Sequence, residues 1–183
     1  MKVMIKHTIS SCLSVLMLTL LAVVAIPLVA QPVEVQLIDR NGKNIGSAQL
    51  TQAKSGVRIQ MRVSGLSPGK HGLHIHASGA CEPPAFKSAG SHFSPQNHNH
   101  GFLDSGGPHE GDLPMLDVTS RDSVTSYDFT TTRVSLNRDS LQQSQGTSLI
   151  IHEKPDDYLT DTGGGTGDRI ACGIIQPATD AQE

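Results

Sequence analysis

The chain has 183 residues, with 14 basic against 17 acidic side chains, a formal net charge of −3 and a hydrophobic fraction of 37%. That length suffices for one domain with a sizeable core once any targeting segment is set aside. The acidic balance argues against a nucleic-acid binder, which needs a basic face.

Residues 1–30 read as a secretory signal peptide. Lys2 and Lys6 make a short basic start, no charge occurs from Thr8 to Val33, and the apolar run "VLMLTLLAVVAI" fills the centre. Small Ala30 is the expected last residue before cleavage, leaving a mature domain of residues 31–183 that opens with "QPVEV". A retained anchor fits less well, because the run is short for a span and Pro27 interrupts it. Lipid attachment at Cys12 fits least, since that cysteine precedes the run. No stable membrane association is expected after cleavage, as no other segment is able to cross a bilayer. Loss of Lys2 and Lys6 leaves 12 basic against 17 acidic residues, net −5, and two cysteines, Cys81 and Cys172. In an exported chain an even pair is most simply a disulfide. Closing a loop of about ninety residues, it is worth ~4 to 5 kcal/mol in the chain-entropy account.

The mature residues read as strands and loops. "VEVQLI" alternates, Asn41-Gly42 signals a two-residue hairpin, and "GSAQLTQ" returns. In "VRIQMRV" Val57, Ile59, Met61 and Val63 face one way and Arg58, Gln60 and Arg62 the other, giving one buried and one wet face. After a turn at Pro68-Gly69, "HGLHIHA" continues with Leu73 and Ile75 as core residues. Residues 78–116 lose all periodicity and are rich in Gly, Pro, Ser, Asn and His; strand character resumes at "DVTS", "VTSYDFTTTRVSL", "TSLIIHE" and "RIACGII", and the tail "QPATDAQE" reads as frayed. The sum is about eight short strands in an antiparallel sandwich or barrel, with two long loops. A loop of nearly forty residues is normally functional and needs something to order it.

That something is written in the histidines. All eight of the mature chain lie between residues 71 and 152. On a strand His74 and His76 point to one face, ~6 to 7 Å apart along the backbone, and can converge on one metal; His71 has the opposite parity and is not expected to be a ligand. The irregular stretch adds His92, His98, His100 and His109, with Asp112 three residues on, and histidines with one carboxylate are what a closed zinc site asks for. Metal binding would supply the ordering free energy the loop lacks. His152 ends the run "SLII".

With these pieces assembled, the chain resembles the copper,zinc superoxide dismutases of the exported kind. "HGLHIH", "SAGSHFSP", "HG" at 100–101, "PHEGDLP", "IIHEKPDD" and "RIACGII" fall in the family's order, and the match extends over residues 33–176. The resemblance implies an eight-stranded antiparallel Greek-key barrel with two long functional loops. It implies copper on His74, His76, His92 and His152, and zinc on His92, His100, His109 and Asp112, with His92 bridging. It casts His71 as a loop-holding histidine, Asp156 as the carboxylate linking a copper to a zinc histidine, Cys81 and Cys172 as the disulfide, and Arg169 as the arginine at the mouth of the copper channel. His98 is outside the motif and competes with His100, which the "HG" match favours. Asp168, next to Arg169, is expected to offset part of its charge.

The implied reaction converts superoxide to dioxygen and hydrogen peroxide by Cu(II)/Cu(I) cycling, with Arg169 attracting the anion and His92 carrying a proton. The resemblance leaves room for a homodimer, in the periplasm or outside the cell. An inactive, metal-binding member is the alternative, against which the complete copper set argues. A copper-delivery module would favour thiolate or methionine ligands, and none clusters here. A zinc hydrolase motif such as H-E-x-x-H is absent.

Overall fold

The computed structural model describes residues 31–178, so residues 1–30, read above as a signal peptide, and the end of the tail lie outside the described residues. Eight strands follow in order: β1 Val33–Asp39, β2 Asn44–Ala53, β3 Gly56–Val63, β4 Gly69–His76, β5 Asp112–Val118, β6 Thr125–Thr131, β7 Thr147–His152 and β8 Arg169–Ile175. All pairings are antiparallel, in the order β5-β4-β7-β8-β1-β2-β3-β6. The sheet curls until its two edge strands meet, where Tyr127 on β6 donates to the Pro114 carbonyl on β5 at 3.1 Å. This is the eight-stranded Greek-key barrel that the resemblance implied, within the antiparallel sandwich-or-barrel class read from the strand pattern.

The alternating residues do what the pattern demands. Val57, Ile59, Met61 and Val63 are buried with Val35, Leu37, Leu73, Ile75, Leu149 and Ile151 in one core. β4 is different, because from His71 onward both of its faces are buried. Leu73 and Ile75 enter the barrel, while the long loops cover His74 and His76 on the outside.

Two boundaries depart from the sequence reading. The first hairpin has a four-residue turn, 40–43, because the Asp39 carboxylate accepts from the backbone N–H of Asn41 and Lys43 at 2.8 and 2.9 Å and widens it; Gly42 still adopts φ +76°. β5 begins at Asp112, inside the stretch read as irregular. Pro114 disguised it, a residue tolerated here because β5 is an edge strand.

The loop joining β4 to β5 is tied down at several points. Phe93 enters the core, its N–H donates to the Ile75 carbonyl at 2.8 Å, and its own carbonyl accepts from Gly111 at 2.8 Å. A Cβ at residue 111 would stand 2.3 Å from the Ile75 oxygen, so only glycine allows this approach. Cys81 and Cys172 form the expected disulfide, with Cα atoms 5.7 Å apart, over a small outer cluster of Phe86, Ala89, Ile150 and Cys172.

Candidate metal centre

Six of the eight mature histidines meet on the outer face of β4. One ligand atom from each of His74, His76, His92 and His152 lies within 4.8 Å of the others. β4 supplies the first two, with ring centroids 6.4 Å apart as strand parity requires. His152 arrives from the end of β7, which pairs with β4, and His92 is bridged to His76 by the returning loop. His74 Nδ1, His76 Nε2 and His152 Nε2 are buried without a hydrogen-bond partner. Their opposite nitrogens are all engaged: His74 Nε2 with Asp156 Oδ2 at 2.6 Å, His76 Nδ1 with the Gly90 carbonyl at 2.9 Å, and His152 Nδ1 with Thr166 Oγ1 at 3.1 Å. Buried polar atoms are normally satisfied. Three unsatisfied nitrogens sharing one spot therefore fit a soft-to-borderline cation such as copper.

Beside it, Asp112 on β5 gathers a second set. His92 Nδ1 and His109 Nδ1 lie 3.0 and 3.2 Å from Asp112 Oδ1, and His100 Nδ1 lies 3.2 Å from Oδ2. Ligands bound at 2.0 to 2.1 Å around tetrahedral zinc stand about 3.3 Å apart, which these spacings match. The tightest mutual set on this side contains His74, His92, His100 and Asp112 rather than His109. His109 Nδ1 also reaches Asp112, while His74 Nε2 is committed to Asp156. His74 and His92 belong to both groups, and His92 Nδ1 lies on the Asp112 side.

Electrostatics follow from burial and these partners. Burial lowers His92 to about 4, against the opposing Asp112 carboxylate, and lowers His152 to about 2 with help from neighbouring His74 and His92. His100 is pulled down by burial yet held at about 9 by the carboxylates of Asp112 and Asp156 on either side. Burial pushes both of those carboxylates upward, but the surrounding histidine contacts win and hold them below the usual range. Neutral His92 and His152 rings present lone pairs at ordinary pH, as metal binding requires.

The other residues singled out in the sequence lie around these two groups. Asp156 is buried between the halves, its Oδ2 on His74 and its Oδ1 accepting from His100 Nε2 at 2.9 Å. A Cβ at Gly164, where φ is +63°, would strike that Oδ1 at 1.9 Å. His71 is buried on the opposite parity, its nitrogens 2.7 Å from the His152 carbonyl and 2.9 Å from the Ser67 carbonyl. Arg169, half-buried, donates to the carbonyls of Phe86 and Gly90 at 2.7 and 2.6 Å. His98 stays outside the cluster, 43% exposed and 3.1 Å from Glu110.

Four contributors escaped the sequence. Arg40 pairs with Asp168 at 2.9 Å and donates from Nε to the Arg169 carbonyl at 3.0 Å, so the acid beside Arg169 is already compensated. Arg40, Lys87, Asp168 and Arg169 line a cavity of about 380 Å³ in which positive charge prevails. Arg133 donates to the carbonyls of His109 and Asp112, and Thr166 reaches His152. Each pairing joins residues with no local pattern linking them.

A Greek-key barrel carrying two adjacent histidine-rich clusters, which share His74 and His92, has the framework of a binuclear metalloprotein. The family model for copper/zinc superoxide dismutase matches residues 44–175, and the chain belongs to that family. It is 41% identical over 145 residues to superoxide dismutase [Cu-Zn] 2 of Aquifex aeolicus, covering 77% of this chain and 84% of that one. A double mutant of a SOD-like protein from Bacillus subtilis superposes with a TM-score of 0.75 at 38% identity, covering 78% of this chain and 96% of the other. The Cu/Zn superoxide dismutase of Brucella abortus superposes at 0.67 with 27% identity, covering 80% of this chain and all of the other.

Proposed function

We propose that the chain, exported and freed of residues 1–30, converts superoxide to dioxygen and hydrogen peroxide at a copper held by His74, His76, His92 and His152. Zinc would be held beside it by His92, His100, His109 and Asp112. The observation that carries this reading is the set of three buried, unpartnered nitrogens on His74, His76 and His152, each with its other nitrogen already bonded. Copper bound there supplies a one-electron couple that zinc lacks.

The chain's own residues do the rest. His92, held at Nδ1 on the Asp112 side, would take a proton from water at its other nitrogen as the first superoxide gives up its electron and leaves as dioxygen. It would pass that proton to the second superoxide, which takes up the electron and a second proton from water and leaves as hydrogen peroxide. Arg169 meets the incoming anion; its guanidinium is fixed by two carbonyls, and the Arg40–Asp168 pair beside it leaves its charge uncancelled. On a surface of net −5, attraction has to be local, through a lined cleft of this kind. The basic start, apolar run and Ala30 support export, and the mature barrel then works without a membrane anchor.

The test is metal analysis of the purified mature chain with a superoxide-decay assay, beside His152→Ala. The parent is expected to carry both metals and to remove superoxide. The variant is expected to keep zinc and to lose copper and activity; decay at the parent rate would overturn the copper assignment.

A further inference from the structure

Thr166 lies outside every motif that carried the family resemblance, on the loop between β7 and β8. It is 4% exposed, and its hydroxyl stands between two partners, the Gly163 carbonyl at 2.8 Å and His152 Nδ1 at 3.1 Å. A threonine hydroxyl has one proton. The Gly163 oxygen can only accept, so the proton goes there, and toward His152 the hydroxyl offers a lone pair. Nδ1 of His152 is therefore the donor. The Gly167 carbonyl, 3.5 Å from the same nitrogen, also can only accept and favours the same tautomer, weakly at that distance. A proton on Nδ1 leaves the lone pair on Nε2, the atom that is buried without a partner in the first histidine group.

We infer that Thr166 is a positioning residue for the copper site, its hydroxyl fixing the tautomer and rotation of His152 so that Nε2 presents a lone pair to the metal. The inference rests on the copper reading above. Thr166 is itself braced for the task. Its N–H donates to the Gly163 carbonyl at 3.2 Å and its carbonyl accepts from Lys154 at 2.9 Å. Its methyl group fills the space left by Gly72, where a Cβ would stand 2.5 Å from Thr166 Cγ2. The Gly72 N–H donates to the Lys154 carbonyl at 2.9 Å, so β4, two residues before His74, and the Thr166 loop are held as one body. The hydrogen bond on the far nitrogen of a ligating histidine is what sets its tautomer and orientation.

Thr166→Val keeps the shape and removes the hydroxyl; Thr166→Ser keeps the hydroxyl and removes the methyl. Two measurements on the full chain separate them. Nitrogen-15 NMR of the chelator-stripped chain at pH 7 is expected to show His152 as the Nδ1–H tautomer in the parent and in Ser, and a mixture in Val. Competition with a chelator is expected to show Cu(II) bound about tenfold more weakly by zinc-loaded Val, with Ser within about twofold of the parent and zinc affinity equal in all three. An Nε2–H tautomer in the parent overturns the inference, as does Val with the parent's tautomer and copper affinity. Val losing copper and zinc alike would mean a purely structural hydroxyl and also overturns it. Should Val not fold, the tautomer of the parent decides alone. A parent with the expected tautomer that binds no copper would instead refute the copper reading.

Discussion

Asp156→Asn replaces one oxygen of the carboxylate that joins the two halves of the centre. Oδ2 accepts from His74 Nε2 at 2.6 Å, while Oδ1 accepts from His100 Nε2 at 2.9 Å and from the Tyr158 N–H at 2.7 Å. An asparagine retains one acceptor, and its NH2 must then confront a donor. Facing His74 sacrifices one contact and facing the other side sacrifices two, so the clash falls on His74. A buried donor left unpaired costs ~1 to 3 kcal/mol. Loss of such a partner to a ligating histidine typically weakens metal binding by about 10- to 100-fold, which is ~1.4 to 2.7 kcal/mol. Copper affinity should fall by that amount and zinc affinity by less, because His100 keeps its acceptor. Chelator competition for each metal on the purified mature chain measures both. An asparagine variant with parental affinities for both metals would show that Asp156 does not couple the sites.

Arg169→Glu should leave both metals bound and cut the superoxide-decay rate by between about 10- and 1,000-fold, the range open to electrostatic steering; the parent rate should fall as salt shortens the screening length from ~10 Å at 0.1 M toward 3 Å at 1 M, while the variant's stays level or rises. Because Arg40 already pairs with Asp168, Asp168→Asn should change the parent rate by less than about twofold, and a larger acceleration would mean the pair does not shield Arg169. Reducing the Cys81–Cys172 bridge, whose cysteines stand 91 residues apart, should lower stability by up to ~4 to 5 kcal/mol in denaturant titrations, with activity falling before global unfolding; two free thiols in the mature chain by mass spectrometry would exclude the bridge.

What the chain disclosed about itself followed from periodicity. Alternation in "VRIQMRV" and the shared parity of His74 and His76 are properties of neighbours along one strand, and both appear in the fold as read. Where a pairing between distant residues belonged to no motif and to no cysteine pair, the letters alone were mute. Arg40 meets Asp168 across the β1–β8 edge, and Thr166 meets His152 through a loop turn set by Gly163. The start of β5 was hidden for a different reason: its inward residues Leu113, Leu116 and Val118 lack strict alternation, and Pro114 breaks the strand signature. The His98 and His100 alternatives were separated by burial, since His100 is enclosed and His98 reaches Glu110 at the surface.

The Gly90 carbonyl accepts from His76 Nδ1 and from Arg169 Nη2 alike. One peptide plane therefore sets the spacing between the His76 ring and the Arg169 guanidinium. A change of even a single residue in the length of segment 77–91 is expected to move both at once, so that the position of the guanidinium and the orientation of the His76 ring shift together.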